Sequence, residues 1–285
     1  MTRLYPEFME TRIIDTLSVV ILIPVYRQPS ADEAASLRQC VDVLSAYDVC
    51  LVCPEDLDTA VYDDIAGRRL ATRRYCRRYF AGIEGYNTLL LSTWFYADFS
   101  QYEYMLIYQL DAWVFSDQLA EWCAKGYDYV GAPWFYRNKS HEQGDRLWLV
   151  GNGGLSLRRV RRFIEVTAAD DICYRLSHVL SAEFHRFSDR WKYLRHWRRM
   201  NGCTLAQLVV GYYKSWEDLI FCVALRGSNY ELSVPPVEEA ALFSIETSPD
   251  YVFSVVNRGR LPFGCHAWRK CQYEEFWKKY IPTHT

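Results

Sequence analysis

The chain contains several apolar runs bounded by polar residues, and the first of them is Ser18–Tyr26. A run without alternation is typical of a strand that is buried on both faces, as in a parallel sheet covered by helices. The same pattern predicts strands at Val49–Cys53, Tyr104–Leu110, Asp128–Gly131 and Leu147–Leu157, the last of them interrupted by glycines. The longest of these runs is about half of a membrane span, which favours a soluble or peripheral protein.

Helical periodicity fills the segments between these strands. Ala34, Leu37, Val41 and Leu44 recur at three-to-four spacing, which predicts a helix over Asp32–Leu44. Further helices are predicted at Glu55–Ala66, Tyr86–Phe99, Trp216–Leu225 and Tyr273–Tyr280, with short strands and loops before the last of them. The alternation of strand and helix predicts an α/β fold.

The chain shows no internal repeat, no low-complexity tract and no linker rich in proline, glycine or serine. Its 285 residues are enough for one large core, and the simplest interpretation is a single domain over residues 1–285. Helical residues dominate from about 170 to 210, which predicts a helical insertion in that domain.

Composition narrows the function classes. Half of the residues are hydrophobic, and the net charge of −2 lacks the basic excess of a nucleic-acid-binding protein. Aromatic residues make up 16%, which suits a sugar-binding cleft as well as an ordinary large core. The N-terminal residues 1–16 mix charges without an apolar segment, so no signal peptide is expected.

Ten cysteines are scattered along the chain. Cys50 and Cys53 lie three apart in a predicted strand, so their side chains are expected on opposite faces and in the core, not on a shared metal. Unpaired thiols favour a reducing compartment, and we expect a cytoplasmic protein.

Two segments place polar groups next to predicted strands. Gln109 and Asp111 share one face at the end of Tyr104–Leu110, where an α/β sheet binds ligands and where an acid can hold a divalent cation. The alternative is an aspartate that only caps a turn. Gly151–Ser156 nearly matches a dinucleotide-binding fingerprint, but it lies mid-chain, and its adjacent glycines more plausibly allow a ligand or another backbone to come close.

A second pair of candidates lies towards the C-terminus. Glu217 and Asp218 follow Ser215, so they either favour a helix N-terminus capped by that serine or supply a general base. His266 follows a Pro–Gly loop, which raises its chance of being a ligand, although a lone histidine is more often structural.

Two basic segments remain. Residues 184–200 carry aromatic side chains at helical spacing among arginines, which fits either a peripheral membrane contact or a helix packed on the core with a solvated basic face. A second cluster, Arg68–Arg78, could contribute to a surface that attracts phosphate.

The order of these segments resembles a bacterial family with an uncharacterised domain that is related to GT-A glycosyltransferases. The matching pieces are Ile23–Tyr26, Gly85–Asn87, Tyr108–Ala112, Tyr129–Trp134, Gly151–Leu157, Glu217–Asp218, Phe243–Glu246 and Pro262–Trp268. The resemblance implies a GT-A-like, Rossmann-like fold with a mixed, mostly parallel sheet. It also implies a nucleotide-sugar donor and a glycan or lipid-linked glycan acceptor, in surface polysaccharide biosynthesis.

The resemblance assigns roles residue by residue. It implies a donor site at Pro24, Tyr26, Asn87, Gln109 and Asp111. It implies an acceptor site at Trp134, Gly153, Gly154 and Glu246. Asp218, in the pair Glu217-Asp218, matches the catalytic base of inverting enzymes, while Asp111 and His266 match the ligands of Mn²⁺ or Mg²⁺. The chain departs from the family pattern at Gln109, which stands where the first acid of the Asp-x-Asp signature is expected and which can bond a ribose hydroxyl but adds no charge.

The sequence therefore predicts an inverting glycosyltransferase. A retaining glycosyltransferase and a non-catalytic carbohydrate-binding protein remain alternatives. A sugar-phosphate nucleotidyltransferase is disfavoured because Ile23–Ser30 contains no glycine, whereas such enzymes open with a glycine-rich phosphate loop.

Overall fold

A computed structural model describes residues 18–136, 146–175, 200–211 and 216–282. The strands are β1 Val19–Pro24, β2 Asp48–Pro54, β3 Ala71–Tyr75, β4 Tyr104–Tyr108, β5 Trp113–Val114, β6 Tyr129–Val130, β7 Pro133–Phe135, β8 Leu147–Val150, β9 Leu155–Arg159, β10 Ser244–Ile245 and β11 Gly264–Cys265. The predicted contact segment 184–200, most of the predicted insertion, and Ser215 lie outside the described residues.

Helices lie between several of these strands, in part where the periodicity predicts them. They are α1 Ala31–Val43, α2 Ala60–Ala66, α3 Ile83–Leu90, α4 Thr93–Ala97, α5 Leu119–Ala124, α6 Val160–Thr167, α7 Leu205–Gly211, α8 Glu217–Leu219, α9 Val237–Phe243 and α10 Pro249–Tyr251. Short π-helical turns, Ile220–Ala224 and Val252–Val256, continue α8 and α10, and 3₁₀ turns occupy Arg77–Phe80 and Trp277–Lys279.

Six strands form the central sheet in the order β3-β2-β1-β4-β9-β6. The first four are parallel to one another, and β9 runs antiparallel to both of its neighbours. Side chains alternate along β1, so Val20 and Leu22 belong to one apolar layer and Ile21 and Ile23 to the other. This arrangement confirms the predicted mixed, mostly parallel sheet flanked by helices.

The strand order reverses next to β1. The chain moves outward from β1 to β2 and β3, and β4 then pairs with the opposite side of β1. Connections that leave two adjacent parallel strands in opposite directions open a crevice at the carboxyl ends of those strands. In this protein the crevice lies where β1 ends at Pro24 and β4 ends at Tyr108.

Two smaller sheets extend the carboxyl-terminal edge of the central sheet. Strands β10, β11 and β5 form one of them, and β7 pairs with β8 in an antiparallel ribbon with an irregular register between Pro133 and Phe135. A third apolar cluster packs behind the three-stranded sheet and includes the buried indoles of Trp113, Trp268 and Trp277. These elements fix the segments that carry Trp134, Glu246 and His266.

Several predicted elements differ from the structure. The predicted helix Tyr86–Phe99 is two helices, α3 and α4, because Ser92 adopts an extended backbone between them. The predicted strand Leu147–Leu157 is wrong as one element, since its glycines form a turn that sends β8 and β9 into different sheets. The predicted terminal helix Tyr273–Tyr280 is only the 3₁₀ turn Trp277–Lys279.

The predicted positions of Cys50 and Cys53 in the core are confirmed. Cys50 and Cys53 lie in different apolar layers, on opposite faces of β2. All ten cysteines lie within the described ranges and all are free thiols. Within these same ranges, no helix has the length and apolar character needed to cross a membrane.

Candidate functional site

A cavity of about 1190 Å³ opens at the crevice between β1 and β4. Every residue that the sequence nominates for a donor, acceptor, metal or catalytic role lines it, although these residues come from eight separate segments of the chain. They are Pro24, Tyr26, Asn87, Gln109, Asp111, Trp134, Gly153, Gly154, Glu217, Asp218, Glu246 and His266. The structure thus brings the nominated donor, acceptor, metal and catalytic residues together, while the role of each stays a prediction.

His266 is at the centre of one wall, just after β11. Its Nε2 lies 3.1 Å from Asp111 Oδ1 and 3.2 Å from Gln109 Oε1. Its Nδ1 lies 3.3 Å from Glu246 Oε1 on the opposite side of the ring. The two ring nitrogens therefore join the turn after β4 to the loop after β10.

The charges on this wall stabilise one another. Burial by itself lowers the pKa of His266, but hydrogen bonds and charge from Asp111 and Glu246 outweigh it and raise the pKa to about 9. Burial likewise raises the pKa of Asp111, but His266 and Lys270 outweigh it and hold that pKa well below the usual range. Lys270 Nζ lies 3.2 Å from Asp111 Oδ2. At neutral pH this wall therefore carries opposite charges side by side.

The donor set on this wall suits a divalent cation in part. Oxygens of Asp111 and Gln109 lie 3.1 and 3.2 Å from the same nitrogen of His266, which is close to the spacing of neighbouring ligands at bonds of about 2.0–2.2 Å. Glu246 contacts the other nitrogen, as the carboxylate behind a metal-bound histidine does. Nowhere in the described part of the chain do three His, Cys, Asp or Glu side chains gather on one point. Asp111, Gln109 and His266 could therefore hold a cation only together with further ligands from a bound molecule.

The turn between β8 and β9, Gly151–Gly154, forms the floor between the walls. A Cβ atom at Gly151 would lie 2.2 Å from the Trp134 ring, one at Gly153 would lie 2.4 Å from Glu217 Oε1, and one at Gly154 would lie 2.0 Å from His266 Nε2. The turn joins two strands and not a strand to a helix, so it is not a dinucleotide fingerprint, as the sequence predicts. Its glycines instead allow three functional side chains to lie against the backbone.

Asn152 holds this turn in shape. Its backbone has φ of 64°, in the left-handed region that asparagine tolerates better than most residues. Its side-chain oxygen accepts from Gly154 N at 3.1 Å, and its amide donates to Glu246. Asn152 thereby links the turn to the carboxylate that orients His266, a role that sequence reasoning did not assign.

Asp218 lies on another wall of the cavity, in α8. Burial, reinforced by the negative charge of Glu217, raises the pKa of Asp218 to about 7. Backbone N–H groups of Leu219 and Gly153 donate to its carboxylate, with 2.8 Å from Leu219 N to Oδ1. A carboxyl group of this kind exchanges its proton near neutral pH, which is what general base catalysis requires.

Glu217, although adjacent, has a different environment. Its Oε1 lies 2.8 Å from Nη2 of Arg158, and both side chains are almost completely buried. Arg158 is held in turn by Ser156 Oγ and Tyr96 OH, each at 3.0 Å. Glu217 is therefore one half of a buried ion pair, whereas Asp218 is the carboxyl that is available to a ligand.

Sequence reasoning missed Arg158 and several residues of the cavity. Strand parity places Ser156 and Arg158 on the face of β9 opposite Leu155 and Leu157, but it does not reveal that this face is covered. The other missed lining residues include Arg27, Trp148, Trp216, Arg269 and Lys270. No residue of the predicted phosphate-attracting cluster Arg68–Arg78 lines the cavity. Within the cluster, Arg73 pairs with Asp98 and Arg77 pairs with Asp56.

The family model described as "protein of unknown function (DUF5672)" matches residues 69–266 of the chain. The chain belongs to this family. The match confirms the predicted membership of an uncharacterised-domain family, and it extends from just before β3 to His266. A comparison with curated protein sequences found no match.

Solved structures show a distant similarity of fold. The galactosyltransferase LgtC, in complex with donor and acceptor sugar analogues, is 10% identical with a TM-score of 0.46, over 87% of this chain and 86% of that one. The glycosyltransferase GlyE of Streptococcus pneumoniae is 12% identical with a TM-score of 0.47, over 88% and 54%. The 4-diphosphocytidyl-2C-methyl-D-erythritol synthase of Anaerococcus prevotii is 13% identical with a TM-score of 0.34, over 67% and 88%. Similarity at this level does not identify an activity.

Proposed function

We propose that the protein is a glycosyltransferase that moves a sugar from a nucleotide-sugar donor to a hydroxyl group of a glycan, with inversion at the anomeric carbon. The observation that carries this proposal is a single cavity with a carboxyl of near-neutral pKa, Asp218, on one wall and the Asp111–His266 group on another. The cavity volume of about 1190 Å³ exceeds the range of about 300–1,000 Å³ usual for one small ligand, and so suits a donor and an acceptor together.

The donor nucleotide is assigned to the carboxyl ends of β1 and β4. Pro24 and Tyr26 border that edge, and Asn87 and Gln109 offer amide groups that can bond a ribose hydroxyl. Near them, Lys270 adds a positive charge suited to a diphosphate. A divalent cation held by Asp111 and His266, with the neutral oxygen of Gln109, would supply charge neutralisation of the leaving diphosphate.

The chemical step assigned to this chain is proton removal. As the acceptor oxygen attacks the anomeric carbon, Asp218 takes the proton of the hydroxyl group. A bond forms from that oxygen to the anomeric carbon, the bond from carbon to the diphosphate oxygen breaks, and its electron pair leaves with the nucleoside diphosphate. Trp134, Gly153, Gly154 and Glu246 are assigned to the acceptor, which we take to be a free or lipid-linked glycan of surface polysaccharide synthesis.

Nucleotide binding is the first expectation to test. A ligand that binds only the native state raises the midpoint of thermal unfolding, by about 5 °C when the ligand is present at a hundredfold excess over its dissociation constant. We expect one nucleoside diphosphate, or its sugar, to do so in the presence of Mn²⁺, and Asp111→Ala to remove the shift. A shift that needs no metal discards the assignment of Asp111 and His266 as ligands. A folded protein that responds to no nucleotide contradicts the transferase proposal and favours a carbohydrate-binding protein.

Gly154→Ala is expected to remove the nucleotide response without unfolding the protein. The added Cβ would meet His266 Nε2 and push the ring away from Asp111, and overpacking of this kind costs about 1–3 kcal/mol. The measurement is the same thermal titration, with Gly211→Ala as the matched control because, in the described part of the chain, nothing beyond its own helix and chain neighbours lies within 4 Å of a Cβ there. An unchanged response in Gly154→Ala contradicts a donor-side role for His266.

A further inference from the structure

The tryptophans of the described chain fall into distinct groups by burial. Four are at most 5% exposed, namely Trp113, Trp122, Trp268 and Trp277. Trp134, Trp148 and Trp216 instead line the cavity, with Trp134 and Trp148 half-buried and Trp216 50% exposed. Single exposed apolar side chains are normal on a protein surface, but three partly exposed indoles around one cavity form an aromatic lining.

Two of these indoles are fixed on the β7–β8 ribbon. Trp134 lies against the backbone of Gly151 so closely that no side chain fits between them. Trp148 meets Tyr136 edge to face, with 6.4 Å between ring centroids. The register irregularity of β7 falls at Trp134, and such irregularities re-aim a side chain. The ribbon therefore presents rigid aromatic surfaces, which lose little entropy when a ligand binds.

The third indole lies beside the catalytic candidate. Trp216 directly precedes Glu217 and Asp218, at the N-terminal end of α8. Trp216 and Asp218 line the same cavity, so a ligand ring lying on the indole shares that cavity with the carboxyl group assigned as the base. The N-terminal end of α8 therefore carries both an apolar contact surface and a proton acceptor.

Sugar rings match this combination of surfaces. A pyranose has an apolar face of C–H groups that packs on an aromatic ring, and hydroxyl groups on its edge that bond carboxylates and amides. We propose that Trp134, Trp148 and Trp216 form a subsite for an oligosaccharide acceptor, which is held by ring stacking over more than one sugar unit. The assignment of this ligand as an acceptor rests on the proposed transferase function, but the binding itself is testable alone.

The test is binding to an array of defined di- to hexasaccharides, followed by titration of the strongest ligand and of its component monosaccharides. Wild type, Trp216→Ala, Trp148→Ala and Trp94→Ala are compared. Trp94 is the matched control because it is 41% exposed but lies outside the cavity lining, against Tyr75 and Tyr79. The nucleotide response in thermal unfolding is measured on each variant in parallel.

We expect wild type and Trp94→Ala to bind the oligosaccharide equally. Trp216→Ala and Trp148→Ala should bind it about tenfold more weakly or worse, with the nucleotide response unchanged. The inference is overturned if wild type binds no oligosaccharide, or if Trp216→Ala binds it with the same affinity as wild type. It is also overturned if the tryptophan variants lose nucleotide binding and keep glycan binding, because the indoles would then stack on a base. Oligosaccharide binding that requires Trp216, in a protein with no response to any nucleotide, keeps the subsite and refutes the transferase.

Discussion

Asp218→Asn is expected to lower the rate of sugar transfer by about 10²–10⁴ while leaving donor binding intact. The amide keeps the size of the carboxyl and an acceptor oxygen for the N–H of Leu219, but it cannot take a proton from the acceptor hydroxyl. Because the pKa of Asp218 is about 7, the wild-type rate should rise with pH through that value and then level off. The measurement is transfer from the donor identified by thermal unfolding, over about pH 5 to 9.

The same substitution should stabilise the protein at high pH. The folded pKa of Asp218, about 7, lies above its ordinary value of 3.8, so its contribution to stability is full below the ordinary value and is lost as pH rises through 7. The asparagine side chain does not ionise, so no charge is buried at that position at any pH. The free energy of unfolding of Asp218→Asn should therefore exceed that of wild type by about 2–4 kcal/mol above pH 8, and the difference should shrink towards pH 4.

An exposed carboxylate on α1, Asp42, provides the control. Asp42→Asn should leave the rate of sugar transfer unchanged, because the side chain lies at the surface away from the cavity. Near-normal turnover in Asp218→Asn would assign the base to another group. It would also revive the retaining alternative, in which no such base is needed, and the anomeric configuration of the product separates the two.

Arg158→Met is expected to lower the free energy of unfolding by about 3–5 kcal/mol. Arg158 is completely buried, and its guanidinium bonds Glu217, Ser156 and Tyr96 while it lies over the rings of Tyr129 and Phe163. Removing it leaves the carboxylate of Glu217 buried without its counter-charge. Equilibrium unfolding in urea measures the loss.

The double variant Arg158→Met with Glu217→Gln is the informative control. Breaking one half of a buried ion pair costs far more than replacing both halves, so the double variant should recover most of the lost stability. Arg161→Met, at an exposed residue of α6, serves as the surface control. If the double variant is as unstable as the single one, the cost lies in lost packing and hydrogen bonds of the guanidinium and not in the unpaired charge.

The sequence predicted the strands that border the site, because a strand or a turn can be recognised from a few neighbouring residues. Buried runs located β1, β2 and β4, and the acid after β4 identified the edge where ligands bind. The Glu217-Asp218 pair and His266 were candidates from their local sequence context, and the family resemblance assigned them the roles of base and metal ligand. Their convergence on one cavity depends on the crossover connections of the sheet, which no local pattern encodes.

Other features were beyond a local interpretation. Arg158 looks like a surface arginine in the sequence, since only the fold reveals that β9 is covered on the face that carries it. The adjacent glycines after β8 suggested a close approach but did not identify Trp134, Glu217 and His266 as the groups that come close. β3 was missed because its residues include two exposed arginines, as suits the edge of a sheet.

The turn Gly151–Gly154 has a consequence for redesign and for evolutionary drift. Each of its three glycines lies against a different side chain of the site. A methyl group at any of them would therefore displace the Trp134 ring, Glu217 of the buried ion pair or the His266 ring. Under the proposed function, new sugar preferences are therefore expected from exchanges on the surrounding walls, such as Trp148 or Trp216. A library that randomises those walls and leaves the turn untouched should yield altered specificities, whereas one that randomises the turn should yield mostly inactive proteins.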